Sequence, residues 1–413
     1  MTQAIILAGG LGTRLRSAVP DLPKCLAPVA GRPFLFYVIN YLRSQGINDF
    51  IFSLGYKHEL ITDYLEKDFA TLSYKTVIEE EPLGTGGAIL LAAAQAHSSQ
   101  VIVTNGDTLF RADIPAMLQL HRSNHAICTL ALKPMQHFDR YGVVEINNEG
   151  RITAFKEKQQ YEQGTINGGL YVIDREALLA AGLPEKFSFE KDFLEARYAD
   201  DKLYGIAQDD YFIDIGIPDD YNQAQQDLAR PAISLKDIDK SWTLFMDRDG
   251  VFNHDKVGSY VFHPDEFVFY DGALDATRII HGKFGRVIVT TNQRGVGRGL
   301  MTLEDLKTVN DKLQRIVKEN GGLIDHVYSA TAMSNFDPIR KPNPGMAFLA
   351  KHDFPDIDLS KTIMIGNNPS DMQFGRHAGL YTVYLTTTNP PYELPHQDVD
   401  WQFESLYAFA KSL

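Results

Sequence analysis

Short apolar runs alternate with longer helix-patterned stretches along the whole chain, and this order constrains the fold more than any other property of the sequence. "AIILA", "DFIFSLG" and "VIVTNGD" are separated by "FLFYVINYLRSQG" and "HELITDYLEKDF". Later, "TLFMD", "RVIVTTNQ", "TIMIGNN" and "YTVYL" are separated by stretches such as "LEDLKTVNDKLQRIVKENGG". Strands that return in the same direction after a crossover helix build parallel sheets, so the fold class is α/β. At 413 residues the chain exceeds one ordinary hydrophobic core, and two domains follow. "PAISLKDIDKSW" carries a proline and several charges and breaks the periodicity before a new apolar strand opens. This predicts a first domain over 1–229, a linker over 230–240 and a second domain over 241–413.

Composition excludes several classes. A hydrophobic fraction of 44% and a charged fraction of 23% fit a folded globular chain. The formal net charge of -13, without any basic run, argues against a nucleic-acid partner, which clustered Lys and Arg would have to hold. Cys25 and Cys128 are too few for a disulfide framework or a CxxC metal site, as in a reducing cytoplasm. No apolar run approaches the roughly 18 residues of a membrane span, and "MTQAIILAGGLGTRL" lacks the basic lead of a secretory signal. The expected setting is therefore the cytoplasm, with no membrane partner; self-association stays open.

Two stretches look built for phosphate. In "AIILAGGLGTRL" a strand runs into a glycine-rich turn, where missing side chains let backbone N–H groups approach phosphate oxygens. Arg14 within the turn and Lys24 in "PK" supply positive charge. Asp107, ending a strand in "NGD", and Asp214 in "YFIDIGIPDDY" supply carboxylates able to share a magnesium ion. Singly, Asp107 reads as a turn cap and Lys24 as a solvated lysine; the ordered set points to a site.

These strings, together with "EEEPLGTGGA", "RYGVVE", "FKEK", "INGGLYV" and "DIGIPDDY", resemble the sugar nucleotidyltransferases in their usual order across residues 1 to about 225. Within that family the similarity runs toward the heptose 1-phosphate guanylyltransferases. The resemblance implies a Rossmann-like domain with a mixed, mostly parallel sheet. It also implies attack by a sugar 1-phosphate on the α-phosphorus of a nucleoside triphosphate, here GTP. Gly9, Gly10, Gly12, Thr13 and Arg14 would then hold the triphosphate, with Lys24 against its phosphates. Asp107 and Asp214 would hold Mg2+, and Gly142, Glu157, Lys158, Asn167 and Gly169 the sugar phosphate. Glu79, with Gly84 and Thr85, falls in the base-binding segment, where a carboxylate could accept from guanine. Three consecutive glutamates, 79–81, read equally well as a solvated turn.

The second device is "LFMDRDG", which delivers Asp247 at a strand end with Asp249 two residues on, on the same side of an extended chain. One carboxylate can attack phosphorus while the other handles the proton of the leaving oxygen. Thr291 after "VIVT", Lys341 in "RKPNPG", and Asn367 and Asp371 in "TIMIGNNPSD" lie at further predicted strand ends. "DRDGV", "TNQRGVGRG" and "RKPNPGM" resemble the haloacid dehalogenase phosphatases, among them the heptose bisphosphate phosphatases and their histidinol-phosphatase relatives, over about residues 243 to 386. The resemblance implies a second Rossmann-like domain. Asp247 would be its nucleophile, Asp249 its acid and base, and Thr291 and Lys341 its phosphate ligands. Asn292, Gln293, Arg298 and Arg340 would contact substrate or phosphate, and Asp247, Asp249, Asn367 and Asp371 would surround Mg2+. The gaps between DxD, Thr291 and Lys341 leave no room for a large cap.

Two departures stand out. "YSATAMSNFDPIRKP" has neither Cys nor His, so no structural zinc is expected. Asn367 stands where the family usually has a magnesium-binding aspartate, which keeps an oxygen ligand but drops one negative charge. Both halves point to the same sugar and to heptose phosphates with GTP as substrates. The alternatives are another sugar, such as mannose 1-phosphate, and a second domain that has lost turnover.

Overall fold

The computed structural model describes residues 2–10, 15, 18–199, 202–256 and 258–413. The chain divides into two compact units, the first ending at Arg230 and the second beginning at Pro231. The stretch expected as a linker packs with the second: Leu235 and Ile238 are buried in its core, and the Tyr381 hydroxyl donates to the Pro231 carbonyl at 2.8 Å.

The first unit contains β1 (Gln3–Ala8), β2 (Pro28–Val29), β3 (Arg32–Pro33), β4 (Asp49–Leu54), β5 (Ser73–Ile78), β6 (Gln100–Asn105), β7 (Thr108–Phe110), β8 (Cys128–Phe138), β9 (Val143–Ile146), β10 (Ile152–Lys156), β11 (Tyr161–Asp174), β12 (Leu203–Ala207) and β13 (Phe212–Asp214). Its main sheet runs β10-β9-β11-β6-β1-β4-β5, with β8 on β11 and β12 on β8. β1, β4, β5 and β6 are mutually parallel where they pair, whereas β11 runs antiparallel to β6 and β8. Beyond Gln3, β1 is apolar because both of its faces are covered. Ala4, Ile6 and Ala8 join the core with the helix Phe34–Ser44. Ile5 points the other way, to Ile89, Ala92 and Ala93 of the helix Gly84–Ala94.

β1 has β4 on one side and β6 on the other, so successive crossovers leave in opposite directions and open a crevice beyond the strand ends. Gly9 and Gly10 follow β1 at that point, and Gly106 and Asp107 follow β6. A small antiparallel pair, β7 with β13, sets Asp214 opposite Thr108 and so beside Asp107.

The second unit holds β14 (Thr243–Met246), β15 (Arg286–Asn292), β16 (His326–Ala330), β17 (Thr362–Gly366), β18 (Tyr381–Leu385) and β19 (Trp401–Phe403). All are parallel, in the order β16-β15-β14-β17-β18-β19. Leu244 and Met246 bury into one face of this sheet and Phe245 into the other. Its switch point lies between β14 and β17, where Asp247 and Asn367 emerge. Away from that end, Arg376 grips Asp400 with two bonds, of 2.7 and 2.9 Å, and donates to the Gln397 carbonyl. The arginine side chain is 6% exposed. Arg376→Ala leaves Asp400 without its main partner and should cost about 3 kcal/mol, read as a lower denaturation midpoint for the second unit only.

Candidate active sites at two strand-end crevices

In the first unit Lys24 rises from the short 3-10 turn Lys24–Leu26. Its Nζ lies 2.6 Å from Asp107 Oδ2 and 3.9 Å from Asp214 Oδ1. Asp214 also accepts from the Gly216 N–H at 2.8 Å. A Cβ on Gly216 would stand 3.0 Å from Lys24 Nζ and 2.8 Å from Asp214 Oδ1, so the position has room only for hydrogen. Two carboxylates thus share one ammonium and keep an excess of negative charge. Hard oxygen donors at a strand-end crevice fit Mg2+.

Glu79 lies directly against the glycine-rich turn. A Cβ on Gly9 would approach Glu79 Oε1 to 2.7 Å, while Glu79 Oε2 accepts from the Leu83 N–H at 3.1 Å. Burial raises its pKa, and the Leu83 N–H and Ser53 hydroxyl oppose that rise. Glu80 and Glu81 are exposed, so the three glutamates are not equivalent. Gly84 and Thr85 face the 187–189 segment: a Cβ on Gly84 would meet the Phe187 carbonyl at 2.6 Å, and the Thr85 hydroxyl accepts from the Phe189 N–H at 3.0 Å. Gly12, Thr13 and Arg14 lie outside the described residues.

On the other side of β6, Asn167 donates to the Tyr171 hydroxyl at 2.8 Å and toward Glu190 at 3.3 Å. Its carbonyl accepts from the Gly169 N–H. Gly169 has φ of +69° and presses on Asn105, two residues before Asp107. Gly142 packs against the Lys156 carbonyl. Glu157 and Lys158 are exposed just beyond β10.

The second centre is more deeply buried. The Asp247 N–H donates to the Ile365 carbonyl of β17 at 2.9 Å. Its carboxylate accepts from the Arg248 N–H at 2.7 Å. Lys341 Nζ sits 3.0 Å from Asp247 Oδ1 and 2.7 Å from Asp371 Oδ1, and donates to the Thr290 carbonyl at 2.7 Å. Burial pushes the Asp247 carboxyl up to about 7, against the pull of Lys341, and the charges of Asp371 and Asp249 push the same way as burial. Burial alone would lower the Lys341 pKa, but the two carboxylates outweigh it and hold the ammonium above its ordinary value.

Asp249 is placed by a turn rather than by the strand. β14 ends at Met246, and Gly250, with φ of +81°, folds the chain so that Asp249 bridges to Asn253. Same-side geometry along an extended strand is therefore not what pairs it with Asp247. Burial would raise its pKa, but Arg248 (2.9 and 3.3 Å), Asn253 (2.9 Å) and Gln293 (2.8 Å) outweigh burial and hold it low. Gln293 also donates to the Thr291 hydroxyl at 3.0 Å. The Asn292 amide exchanges bonds with the Lys341 backbone at 3.0 and 3.1 Å, which holds the lysine's chain position.

Asn367 is fully buried. Asp371 caps the following helix, Pro369–His377, by accepting from the Asn367 and Asn368 N–H groups at 3.2 and 3.0 Å. Among the described residues no three His, Cys, Asp or Glu side chains gather to hold a metal. A cation in either crevice would thus rest on two carboxylates completed by neutral oxygens, a donor set that suits Mg2+ and not a thiophilic ion.

Beside this centre three guanidinium groups converge. Arg340 is half-buried with Nη1 enclosed and, among the described residues, unpartnered; burial lowers its pKa, and Arg294 and Arg298 lower it further. Arg294 donates to Asn335, and its Nε lacks a partner among the described residues.

Residues 3–230, more than half of the chain, match the family model described as nucleotidyl transferase. The chain belongs to the nucleotidyl transferase family. Residues 338–404 match a second model, HAD-hydrolase-like, and the second domain is HAD-like. Families of both kinds generally use Mg2+. Over 226 residues this nucleotidyl transferase chain is 51% identical to D-glycero-alpha-D-manno-heptose 1-phosphate guanylyltransferase of Aneurinibacillus thermoaerophilus, covering 55% of this chain and 98% of that one. The enzyme of the same name from Campylobacter jejuni is 46% identical over 219 residues, 53% of this chain and 96% of its own. The crystal structure of HddC from Yersinia pseudotuberculosis complexed with GMP-PN is similar at a TM-score of 0.50 and 36% identity, covering 55% of this chain and 99% of that one. Among the described residues no helix is long and apolar enough to cross a membrane.

Several residues of these crevices escaped the sequence reading. Arg248, fully buried, braces Asp249 and is itself held by Asn310 at 2.9 Å; its place between the two aspartates was the available signal. Glu190 and Arg294 carried no spacing that would single them out.

Proposed function

We propose that the chain carries out two successive steps toward a nucleotide-activated heptose. The second domain hydrolyses the 7-phosphate of D-glycero-α-D-manno-heptose 1,7-bisphosphate. The first transfers GMP from GTP to the resulting heptose 1-phosphate, giving GDP-heptose and pyrophosphate, in the cytoplasm. The observation that carries this reading is the 51% identity, over nearly the whole first domain, to a heptose 1-phosphate guanylyltransferase.

In the first domain the sugar phosphate is itself the nucleophile, so the protein aligns reactants and neutralises charge. Lys24 meets the triphosphate, together with the turn that includes Gly9, Gly10, Gly12, Thr13 and Arg14. Asp107 and Asp214 hold Mg2+, which when bound neutralises phosphoryl oxygens. Glu79 accepts from the guanine ring N–H and exocyclic amine with the oxygen that faces Gly9. Gly142, Glu157, Lys158, Asn167 and Gly169 hold the sugar phosphate.

In the second domain an Asp247 oxygen attacks phosphorus, and the bond from phosphorus to the sugar oxygen breaks. Asp249 gives that oxygen its proton, then takes one from the water that cleaves the aspartyl-phosphate and releases inorganic phosphate. In the resting site Asp249 is held ionised. Entry of a phosphate dianion raises its proton affinity by like-charge repulsion, which loads the acid when it is needed. Asp247 must be ionised to attack. Burial favours its acid form, and the Lys341 ammonium together with a bound Mg2+ would favour the ionised one.

The Arg294, Arg298 and Arg340 cluster supports a substrate with a second anionic group. Losing a charge-assisted bond costs about 1.5–3 kcal/mol. Arg340→Ala should therefore raise KM for the bisphosphate by ~10-fold or more, with hydrolysis of p-nitrophenyl phosphate nearly unchanged. Equal losses on both substrates would remove the arginine from recognition of a second phosphate.

A further inference from the structure

One end of the Asn367 amide is held by a strap that no catalytic motif includes. Beyond β18 the chain turns at 386–389 and crosses both strand ends of the second centre. Thr386 N–H donates to the Phe403 carbonyl of β19 at 3.0 Å. Thr387 donates its hydroxyl to the Gly250 carbonyl at 2.6 Å. Asn389 donates to the Asn367 carbonyl at 2.9 Å and to the Asn368 side chain at 3.2 Å. Between them the Thr388 hydroxyl accepts from Asn367 Nδ2 at 2.7 Å. Among the described residues the other end of that amide, Oδ1, has only a long contact of 3.4 Å from Asn368 Nδ2. Asn367 is 0% exposed, and a Cβ on Gly250 would overlap its amide at 2.0 Å, so the group is enclosed against the DxD turn.

An amide has two unlike ends. Its oxygen attracts a cation and its NH2 repels one, whereas the two oxygens of a carboxylate are equivalent. An asparagine among buried carboxylates is a useful cation ligand only if something fixes which end faces inward. We propose that Thr388 is a positioning residue: by accepting from Asn367 Nδ2 it turns Oδ1 toward the cation held with Asp247 and Asp371. Threonine suits the task because its hydroxyl can accept, and the strap anchored at Thr386, Thr387 and Asn389 limits its movement. Valine has the same shape but no acceptor, and would leave Nδ2–H buried without a partner.

The proposal rests on the reading of this centre as a divalent-cation site, and the test separates the two. The probe is Mg2+ alone, titrated by calorimetry into the full chain carrying Asp107→Asn, so that the remaining binding reports the second domain. Binding that Asp371→Ala abolishes is the signal. In this background Thr388→Val should weaken Mg2+ by ~10-fold, the equivalent of one lost buried hydrogen bond of about 1.4 kcal/mol, and Thr388→Ser should leave it within about twofold. Asn367→Asp alone should tighten Mg2+, since it adds a negative charge. With Asn367→Asp present, Thr388→Val should have almost no effect, because a carboxylate has no wrong end. Equal weakening by Thr388→Val with and without Asn367→Asp would show a general structural role and overturn the positioning role alone. If no Mg2+ binding sensitive to Asp371→Ala exists, the cation reading falls, and the proposal with it. Thermal midpoints recorded on the same samples check that each variant is folded.

Discussion

Asp247→Asn is expected to lower phosphate release from the heptose bisphosphate by ~10^4-fold or more, the scale of loss when a nucleophile is removed. Guanylyl transfer to supplied heptose 1-phosphate should be unchanged. The change is close to isosteric and keeps an oxygen for the Arg248 N–H. It removes the negative charge that attacks phosphorus and cannot form an acyl-phosphate. Lys341 retains Asp371 at 2.7 Å and the Thr290 carbonyl, so no buried cation is stranded and the fold should hold. Phosphate release and nucleotide-sugar formation, measured on one preparation, check this. A second domain that works only as a scaffold would show no phosphate release to lose.

Asp107→Asn is the counterpart in the first domain. Asp107 is the near partner of Lys24, at 2.6 Å, while Asp214 stands off at 3.9 Å. Neutralising it halves the carboxylate charge that can hold a cation over the triphosphate. Loss of a charge-stabilising group of this kind is worth ~10^2 to 10^3 in kcat. The loss should appear in turnover of GTP with heptose 1-phosphate more than in KM for the sugar, whose proposed contacts lie at Asn167, Gly169, Glu157 and Lys158. Phosphate release by the second domain should be unaffected. A reduction confined to KM, with kcat intact, would move Asp107 out of the chemical step and into binding.

Much of this architecture was legible because strand-end chemistry leaves a local trace. An apolar run buried on both faces, such as "AIILA" or "TLFMD", can only be a central strand, and the residue after it must stand in the crevice. That logic places Asp107 and Asp247 without knowledge of the rest. It fails where position depends on a turn. Asp249 was assigned to the strand's side, but Gly250 at positive φ and the bridge to Asn253 are what aim it. It fails again where a side chain acts through another. Nothing local in the sequence announces that the Asn292 amide bonds to the Lys341 backbone, a partner 49 residues away. Thr388 belongs to no periodic pattern, and only the folded chain brings it to the strand ends of the second centre. The glutamate run shows the same limit: Glu79 was the residue expected to meet the base, yet the run read equally well as a solvated turn, and only packing against Gly9 sets Glu79 apart from the exposed Glu80 and Glu81.

The most direct test of the whole account is incubation of the intact chain with D-glycero-α-D-manno-heptose 1,7-bisphosphate, Mg2+ and each of the four nucleoside triphosphates in separate reactions. Mass detection reads the nucleotide sugar, with inorganic phosphate measured alongside. The account requires GDP-heptose with GTP, together with one inorganic phosphate per nucleotide sugar after pyrophosphate is excluded. No nucleotide sugar from the heptose bisphosphate under any of the four nucleotides would contradict it.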